Sequence, residues 1–257
     1  MKLSIIIPAY NEESRLGPML DAYLDYFLPR YGSEVEVIVA VNGSTDRTDE
    51  VASGYAARHP QVQVLVEPRK IGKGGAVIMG FDRAVGDHVG FTDADGATPP
   101  AAFDNLVERI GRDGAIIASR WLPGSQVAPG QPLSRRIASR IFNLEVRLLF
   151  GLGITDTQCG AKLLSREAWA AVRPVIGVTR WAFDVDLLFQ LKRAGYPTKE
   201  IPTTWHDVSG SKINVPRASL EMTLAIYRLR LLHSPFSWLV TLYDKTLGVA
   251  LKSIYRT

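Results

Sequence analysis

Over its first 120 residues the chain alternates short β-branched apolar runs with segments of helical period, and few folds accommodate such a pattern. Strand patterns fall at residues 3–7, 34–41, 62–66, 88–92 and 115–119, and helical patterns at 13–27, 46–58, 73–85 and 99–110. The last of these helices opens on proline, where a missing N–H costs little. Strands separated by helices predict an α/β fold with a mainly parallel sheet and helices on both faces. Ligands of such sheets bind outside the carboxyl ends of the strands. Three polar clusters fall at such ends: Tyr10-Asn11-Glu12, Asn42-Gly43-Ser44 and Asp93-Ala94-Asp95.

The pattern changes after residue 120. Residues 121–132 hold three prolines and two glycines and read as a loop. Residues 133–150 read as a helix, with Arg135, Arg136, Arg140 and Arg147 set among Ile137, Ile141, Leu144 and Leu148. A polar stretch at 155–160, a helix at 183–193 and a short strand at 197–201 follow. Two apolar and basic helical patterns, 217–232 and 236–255, close the chain. Such helices fit either an interface between two copies or a bilayer surface.

Composition narrows the function classes. The single cysteine, Cys159, excludes an internal disulfide framework, and with four scattered histidines it makes no zinc pattern. The apolar runs are all too short for a membrane-spanning helix. The strand pattern that begins at once leaves no room for a signal peptide, so the expected compartment is the cytoplasm. The net charge of +4 suits phosphates or an anionic membrane surface. No nucleic-acid-binding module is recognisable.

Two motifs carry chemistry. Asp93 and Asp95, two residues apart at a strand end, can share a hard divalent cation, which typically takes one or two carboxylates plus substrate phosphates; the plainer alternative is an acidic turn. Gly72-Lys73-Gly74-Gly75 is neither a P-loop nor a dinucleotide fingerprint, since glycine follows the lysine and Val77 stands where a third glycine belongs. It remains a glycine-lined helix start near Arg69, Lys70 and Lys73, suited to phosphate or simply to a tight turn.

Taken together, the motifs resemble a known family. Residues 4–13, Ser-Ile-Ile-Ile-Pro-Ala-Tyr-Asn-Glu-Glu, are similar to the opening of the inverting GT-A enzymes of glycosyltransferase family 2. Gly43-Ser44-Thr45-Asp46, Gly72-Lys73-Gly74 and Asp93-Ala94-Asp95 follow in that family's order. Asp93 to Thr98, Asp156-Thr157-Gln158-Cys159-Gly160-Ala161-Lys162-Leu163, Arg180-Trp181-Ala182-Phe183-Asp184 and Gly210-Ser211-Lys212 resemble the dolichyl-phosphate β-glucosyltransferases within it. Two departures stand out. Val41-Asn42 replaces the family's usual Asp-Asp pair, and the N-terminal membrane anchor of the eukaryotic enzymes is not matched.

The resemblance implies a Rossmann-like GT-A domain over residues 1–215, with a nucleotide-sugar half to residue 120 and an acceptor half beyond it. Residues 216–257 then form a membrane-associating or dimerising helical segment. It implies transfer of a hexose, glucose from UDP-glucose, to a polyprenyl or dolichyl phosphate at the cytosolic membrane face. Mannose transfer from GDP-mannose, transfer to a small hydroxylated acceptor, and a non-catalytic nucleotide-sugar binder are the alternatives. Asp95, with Asp93, would hold Mg²⁺ or Mn²⁺. Pro8, Tyr10, Asn11, Glu12, Asn42, Gly43, Lys73, Asp93 and Ala94 would border the donor. Arg120, Arg135, Arg136 and Lys212 would bind the acceptor phosphate. Asp156 or Asp184 would position the acceptor or act as base, Asp184 having helix capping as its plainer reading.

Overall fold

A computed structural model describes residues 2–130, 133–177, 182–206 and 215–245. In chain order the elements are β1 (Leu3–Ala9), α1 (Leu16–Tyr31), β2 (Val35–Asn42), α2 (Thr48–Ala56), β3 (Val62–Glu67), α3 (Gly72–Arg83), β4 (His88–Phe91), α4 (Pro100–Arg109) and β5 (Ala115–Ser119). There follow β6 (Gln126–Ala128), α5 (Leu133–Phe150), β7 (Lys162–Ser165), α6 (Arg166–Val172), α7 (Phe183–Arg193), β8 (Thr198–Pro202), β9 (Thr204–His206), α8 (Val215–Leu232) and α9 (Ser237–Lys245).

Seven strands form one sheet in the order β3-β2-β1-β4-β7-β5-β8, and β6 pairs with β9 in a separate ribbon. The first four strands are parallel. The connection order reverses between β1 and β4, which opens a crevice beyond their carboxyl ends. The inner strands are buried on both faces, so they read as continuous apolar runs rather than alternating ones. Alternate residues still divide between two cores. Ile5, Ile7, Val37 and Val39 pack with α1 and α4, while Ile6, Ile38 and Ala40 pack with Val77 and Phe81 of α3 and with α6 and α7. A third cluster joins Ile117 to α5, α7 and α8.

Two features depart from the pattern read in the sequence. The loop expected over 121–132 contains β6, whose ladder to β9 is made by backbone groups that side-chain pattern does not report. Between β4 and β5 the sheet admits β7, which runs antiparallel to both. Its four residues include Lys162, fully buried opposite Phe91. A charged residue in so short a run hides a strand from any hydrophobic-period reading. Of the C-terminal helical pattern at 236–255, α9 accounts for residues 237–245; the remainder lies outside the described residues.

Candidate active site

The carboxyl ends of β1, β2 and β4 bring the donor-side candidates together. After β1, which contains Pro8, the chain passes through Tyr10, Asn11 and Glu12. Asn11 adopts a positive φ of 55° and its Oδ1 accepts the Thr45 N–H at 2.8 Å, tying the β1 and β2 loops. The Glu12 carboxylate takes two bonds from Arg15, at 2.6 and 2.7 Å. Burial raises its proton affinity, with Asp93 and Asp95 adding to the effect against Arg15. Tyr10 is exposed, with the Lys70 ammonium 4.0 Å from its ring centre. Gly43 is required by geometry: its φ is 63°, and a Cβ there would stand 2.8 Å from the Lys70 backbone.

Asn42 performs a task its sequence position does not announce. Its Oδ1 accepts the Gly72 N–H at 3.1 Å and its Nδ2 donates to the Ala9 carbonyl at 3.2 Å. The buried amide thus couples the ends of β1 and β2 to the start of α3. A carboxylate there could accept from Gly72 but not donate to Ala9.

Asp93 and Asp95 follow β4. Lys73, in the first turn of α3, places its ammonium 2.6 Å from Asp93 Oδ1. The other oxygen lies against Gly160, where a Cβ would fall 2.0 Å from Oδ2. Asp95 Oδ1 accepts the Ala97 N–H at 3.0 Å, within a turn that contains buried Ala94. Burial, then the Asp93 charge, raises the proton affinity of Asp95. A hard cation beside it would offset both effects. Among the described residues no three acidic, histidine or cysteine side chains gather as a ready cage. Two carboxylates on an open turn fit Mg²⁺ or Mn²⁺ only if the substrate supplies further oxygens. Asp95 is the better placed of the two, since Asp93 already has Lys73 and Gly160 against it.

The acceptor-side carboxylates are engaged in buried ion pairs. Asp156 is fully buried and grips Arg120 with two bonds, 2.8 Å from Nε and 2.9 Å from Nη2, while the Arg120 N–H adds a third at 3.0 Å. Burial opposes its charge, but Arg120 prevails and holds it below the usual carboxylate range. Glu200 accepts the N–H groups of Thr155 and Asp156 and fixes the turn. Asp184 lies in the first turn of α7 but is not its cap, which is Ala182. Its Oδ1 accepts from Lys162 Nζ at 2.6 Å, and the same ammonium donates to the Cys159 carbonyl at 2.7 Å. Asp184 too is held low: Lys162 and Lys73 outweigh its burial.

Lys162 lies within the family-like motif Asp156 to Leu163, but the motif by itself assigned it no role. By anchoring the Cys159 carbonyl it fixes the turn that sets Gly160 against Asp93. Burial pushes the Cys159 thiol up, in keeping with a packed rather than a reactive residue. Arg136 is exposed on α5. Lys212, the Arg135 side chain and the Arg180-Trp181 motif lie outside the described residues. Of the remaining α5 arginines, Arg147 Nε donates to the Ile154 carbonyl at 3.0 Å and Arg140 faces the Trp121 ring at 4.6 Å. Both hold the helix to the domain.

The chain is similar to known proteins in sequence family and in fold. A family model described as "Glycosyl transferase family 2" matches residues 4–172. A dolichyl-phosphate beta-glucosyltransferase of Trichomonas vaginalis is 33% identical over 249 residues, covering 92% of this chain and 73% of the relative. One of Drosophila melanogaster is 34% identical over 258 residues, covering 95% and 79%. Among solved structures, glucosyl-3-phosphoglycerate synthase of Mycobacterium tuberculosis, in complex with Mn²⁺, UDP and glucosyl-3-phosphoglycerate, superposes with a TM-score of 0.65. At 19% identity over 90% of this chain and 79% of that one, the likeness is of fold.

Proposed function

This chain belongs to glycosyl transferase family 2 and is a hexosyltransferase, and from that premise we propose that it moves glucose from UDP-glucose to a polyprenyl phosphate such as dolichyl phosphate, with inversion. The names of its relatives support the sugar and the lipid, and the fold, of GT-A type, supports a nucleotide-sugar donor. The observation that carries the acceptor class is the state of the two acceptor-side carboxylates. Asp156 and Asp184 sit in ion pairs with Arg120 and Lys162 that lower their proton affinity, which disfavours either one as a general base. An alcohol would need such a base. A phosphate monoester, with a second pKa near 6, arrives largely ionised and needs only orientation.

In this reading the acceptor oxygen attacks the anomeric carbon opposite the diphosphate; the new C–O bond forms as the old one breaks, and the electron pair leaves with UDP. Mg²⁺ or Mn²⁺, bound by Asp95 with help from Asp93, would offset charge on the leaving diphosphate. Lys73 stands beside that motif as a further cation. Tyr10, Asn11, Glu12 and Gly43 border the nucleoside, with Asn42 holding their loops. Arg120, clamped by Asp156, orients the acceptor phosphate.

The lipid nature of the acceptor has its own support. Ile137, Ile141, Leu144 and Leu148 recur along one exposed stripe of α5, and Leu220 and Leu224 of α8 with Phe236 and Trp238 near α9 are exposed as well. Helix α8 packs on both α5 and α9. Apolar patches of this kind on a basic protein suit the interfacial layer of an anionic membrane. Among the described residues no helix is long and apolar enough to cross a membrane, so the contact proposed is peripheral, on the cytosolic face. Residues 216–257 are its proposed C-terminal part. Leu144→Glu with Leu148→Glu should lower flotation with vesicles containing phosphatidylserine about tenfold or more, since each charge must enter an apolar layer. Unchanged flotation, with loss of a dimer in sedimentation, would assign the surface to a second copy instead.

The decisive assay offers UDP-glucose and GDP-mannose, each with Mn²⁺, to a short polyprenyl phosphate and to the corresponding alcohol. Transfer of glucose to the phosphate alone is the expected result. Transfer only to the alcohol would overturn the acceptor class, and a preference for GDP-mannose would overturn the donor.

Gly160 supplies a further test. Alanine there must displace the Asp93 carboxylate, because its Cβ would meet Oδ2 at 2.0 Å. Overpacking strain of about 1–3 kcal/mol should weaken joint binding of Mn²⁺ and UDP about tenfold or more, read by calorimetry. Binding unchanged by Gly160→Ala would mean that the present position of Asp93 is immaterial to the donor.

A further inference from the structure

Lys162 is fully buried in β7 between Ala161 and Leu163, opposite Phe91 of β4. Taking an ammonium and a carboxylate out of water costs so much that a buried ion pair is often no more stabilising than apolar residues of similar size. Stability alone does not account for a lysine here. Its contacts point to another task. The ammonium donates to Asp184 Oδ1, in the first turn of α7, at 2.6 Å and to the Cys159 carbonyl at 2.7 Å. That carbonyl and the Gly160 N–H belong to one planar peptide unit, so the bond fixes the plane in which Gly160 is presented.

Gly160 lies directly against Asp93 Oδ2, where no Cβ could fit. Earlier along the same two strands the approach is as close, since a Cβ on Gly90 of β4 would stand 2.7 Å from the Lys162 carbonyl. Contacts therefore run from α7 through Lys162, Cys159 and Gly160 to Asp93. The other oxygen of Asp93 meets Lys73 at 2.6 Å. The ammonium groups of Lys73 and Lys162 stand 5.2 and 5.3 Å from the centre of the same Phe91 ring. The second aspartate is braced as well. Asp95 Oδ1 accepts the Ala97 N–H, and the Ala97 carbonyl accepts the His206 N–H of β9 at 2.8 Å. Chain beyond residue 120 thus supports the acidic turn at both carboxylates.

We propose that Lys162 is a positioning residue for the cation of the donor: paired with Asp184, it holds the Cys159–Gly160 peptide against Asp93 and so sets the acidic turn for Mg²⁺ or Mn²⁺. It touches neither cation nor donor and acts through Gly160. The inference rests on the reading of Asp95 and Asp93 as the residues that hold the cation. It adds that the donor's metal affinity is tuned from α7, on the other side of β7, so that a disturbance there reaches the donor without any contact to it.

Lys162→Met with Asp184→Leu tests this without stranding a charge. The pair gives way to apolar side chains of similar size, the net charge is unchanged, and the Cys159 carbonyl loses its donor. Calorimetry and electron paramagnetic resonance of Mn²⁺ titrated with UDP read the result without turnover. Joint affinity for Mn²⁺ and UDP should fall about tenfold, the scale of one hydrogen bond from a charged group. Affinity for UDP without metal should change far less, and the unfolding midpoint should stay near that of the wild type. Adding Gly160→Ala should cost clearly less than the product of the two separate losses, because residues that act through one contact are not additive. Unchanged Mn²⁺–UDP affinity in the folded double variant overturns the positioning role, and so does a full multiplicative loss on adding Gly160→Ala. If the double variant does not fold, amide exchange of the wild type decides. Mn²⁺ with UDP, relative to UDP alone, should slow exchange over residues 157–162 and in the first turn of α7, and no slowing there overturns the role. Wild-type protein whose UDP binding is indifferent to Mn²⁺ overturns the metal reading and this inference with it.

Discussion

Asp95→Ala lowers sugar transfer by about a thousandfold or more while leaving the fold intact. The carboxylate stands on the turn after β4, preset by its bond from the Ala97 N–H. It is the carboxylate of the pair not already held by a lysine. Its raised proton affinity records that burial and the neighbouring Asp93 disfavour its charge in the free protein. In the proposed reading, a divalent cation bound with the donor diphosphate would offset that effect. Charge stabilisation of a leaving group by a bound cation amounts to several kcal/mol, and about 1.4 kcal/mol corresponds to each factor of ten in rate. Asp95→Asn, which keeps the shape and the Ala97 bond, should fall nearly as far. Electron paramagnetic resonance of Mn²⁺ titrated with UDP reads the lost site without reference to turnover. Full transfer activity in Asp95→Ala would remove this residue from the site.

Asp156→Asn destabilises the protein by about 3–5 kcal/mol, the usual cost of stranding one member of a buried pair. The neutral amide leaves Arg120 without its counter-charge in a site where Asp156 is fully buried. Because the folded pKa of Asp156 is depressed, its contribution is present above the ordinary carboxylate value and disappears only as pH falls through the lower folded value. The wild-type protein should therefore keep this contribution through mildly acidic conditions, whereas the variant shows a reduced midpoint in thermal or urea unfolding throughout the neutral range. If Asp156 were the general base, its replacement would instead erase the acidic limb of the pH–rate profile with little change in stability. That result would reverse the assignment made here. Arg120→Met paired with Asp156→Leu separates the two effects. Removing both charges should recover much of the stability but not the affinity for a lipid phosphate.

Much of the donor half is legible in the sequence because its signals are local. The β-branched runs that become β1, β2 and β3 are mostly apolar, and the prolines at 99 and 100 mark the start of α4 within a residue. Asp93 and Asp95 sit next to each other on one turn, so their proximity needs no tertiary information. The helices at 133–150 and 183–193 are equally plain in their periods. The acceptor half is less legible. The strand β7 is four residues long with a buried lysine in it, and β6 and β9 are defined by a three-residue ladder. Because Asp156 and Asp184 match acidic positions of the family motifs, sequence reading made them candidates to position the acceptor or act as base. It had no means of seeing that each already has a cation.

The sequence by itself determined the alternation of strands and helices, the acidic turn after β4 and membership of a transferase family, since all three rest on contiguous residues. Tertiary structure alone decided the pairings. The insertion of β7 between β4 and β5 sets Lys162 opposite Phe91 and, through the Cys159 carbonyl, Gly160 against Asp93. Residues 36 positions apart form the Arg120–Asp156 clamp, and the amide of Asn42 spans from β1 to α3. A buried charge must find its partner wherever the chain brings one. The identity of that partner depends on strand order, which no local pattern of residues encodes.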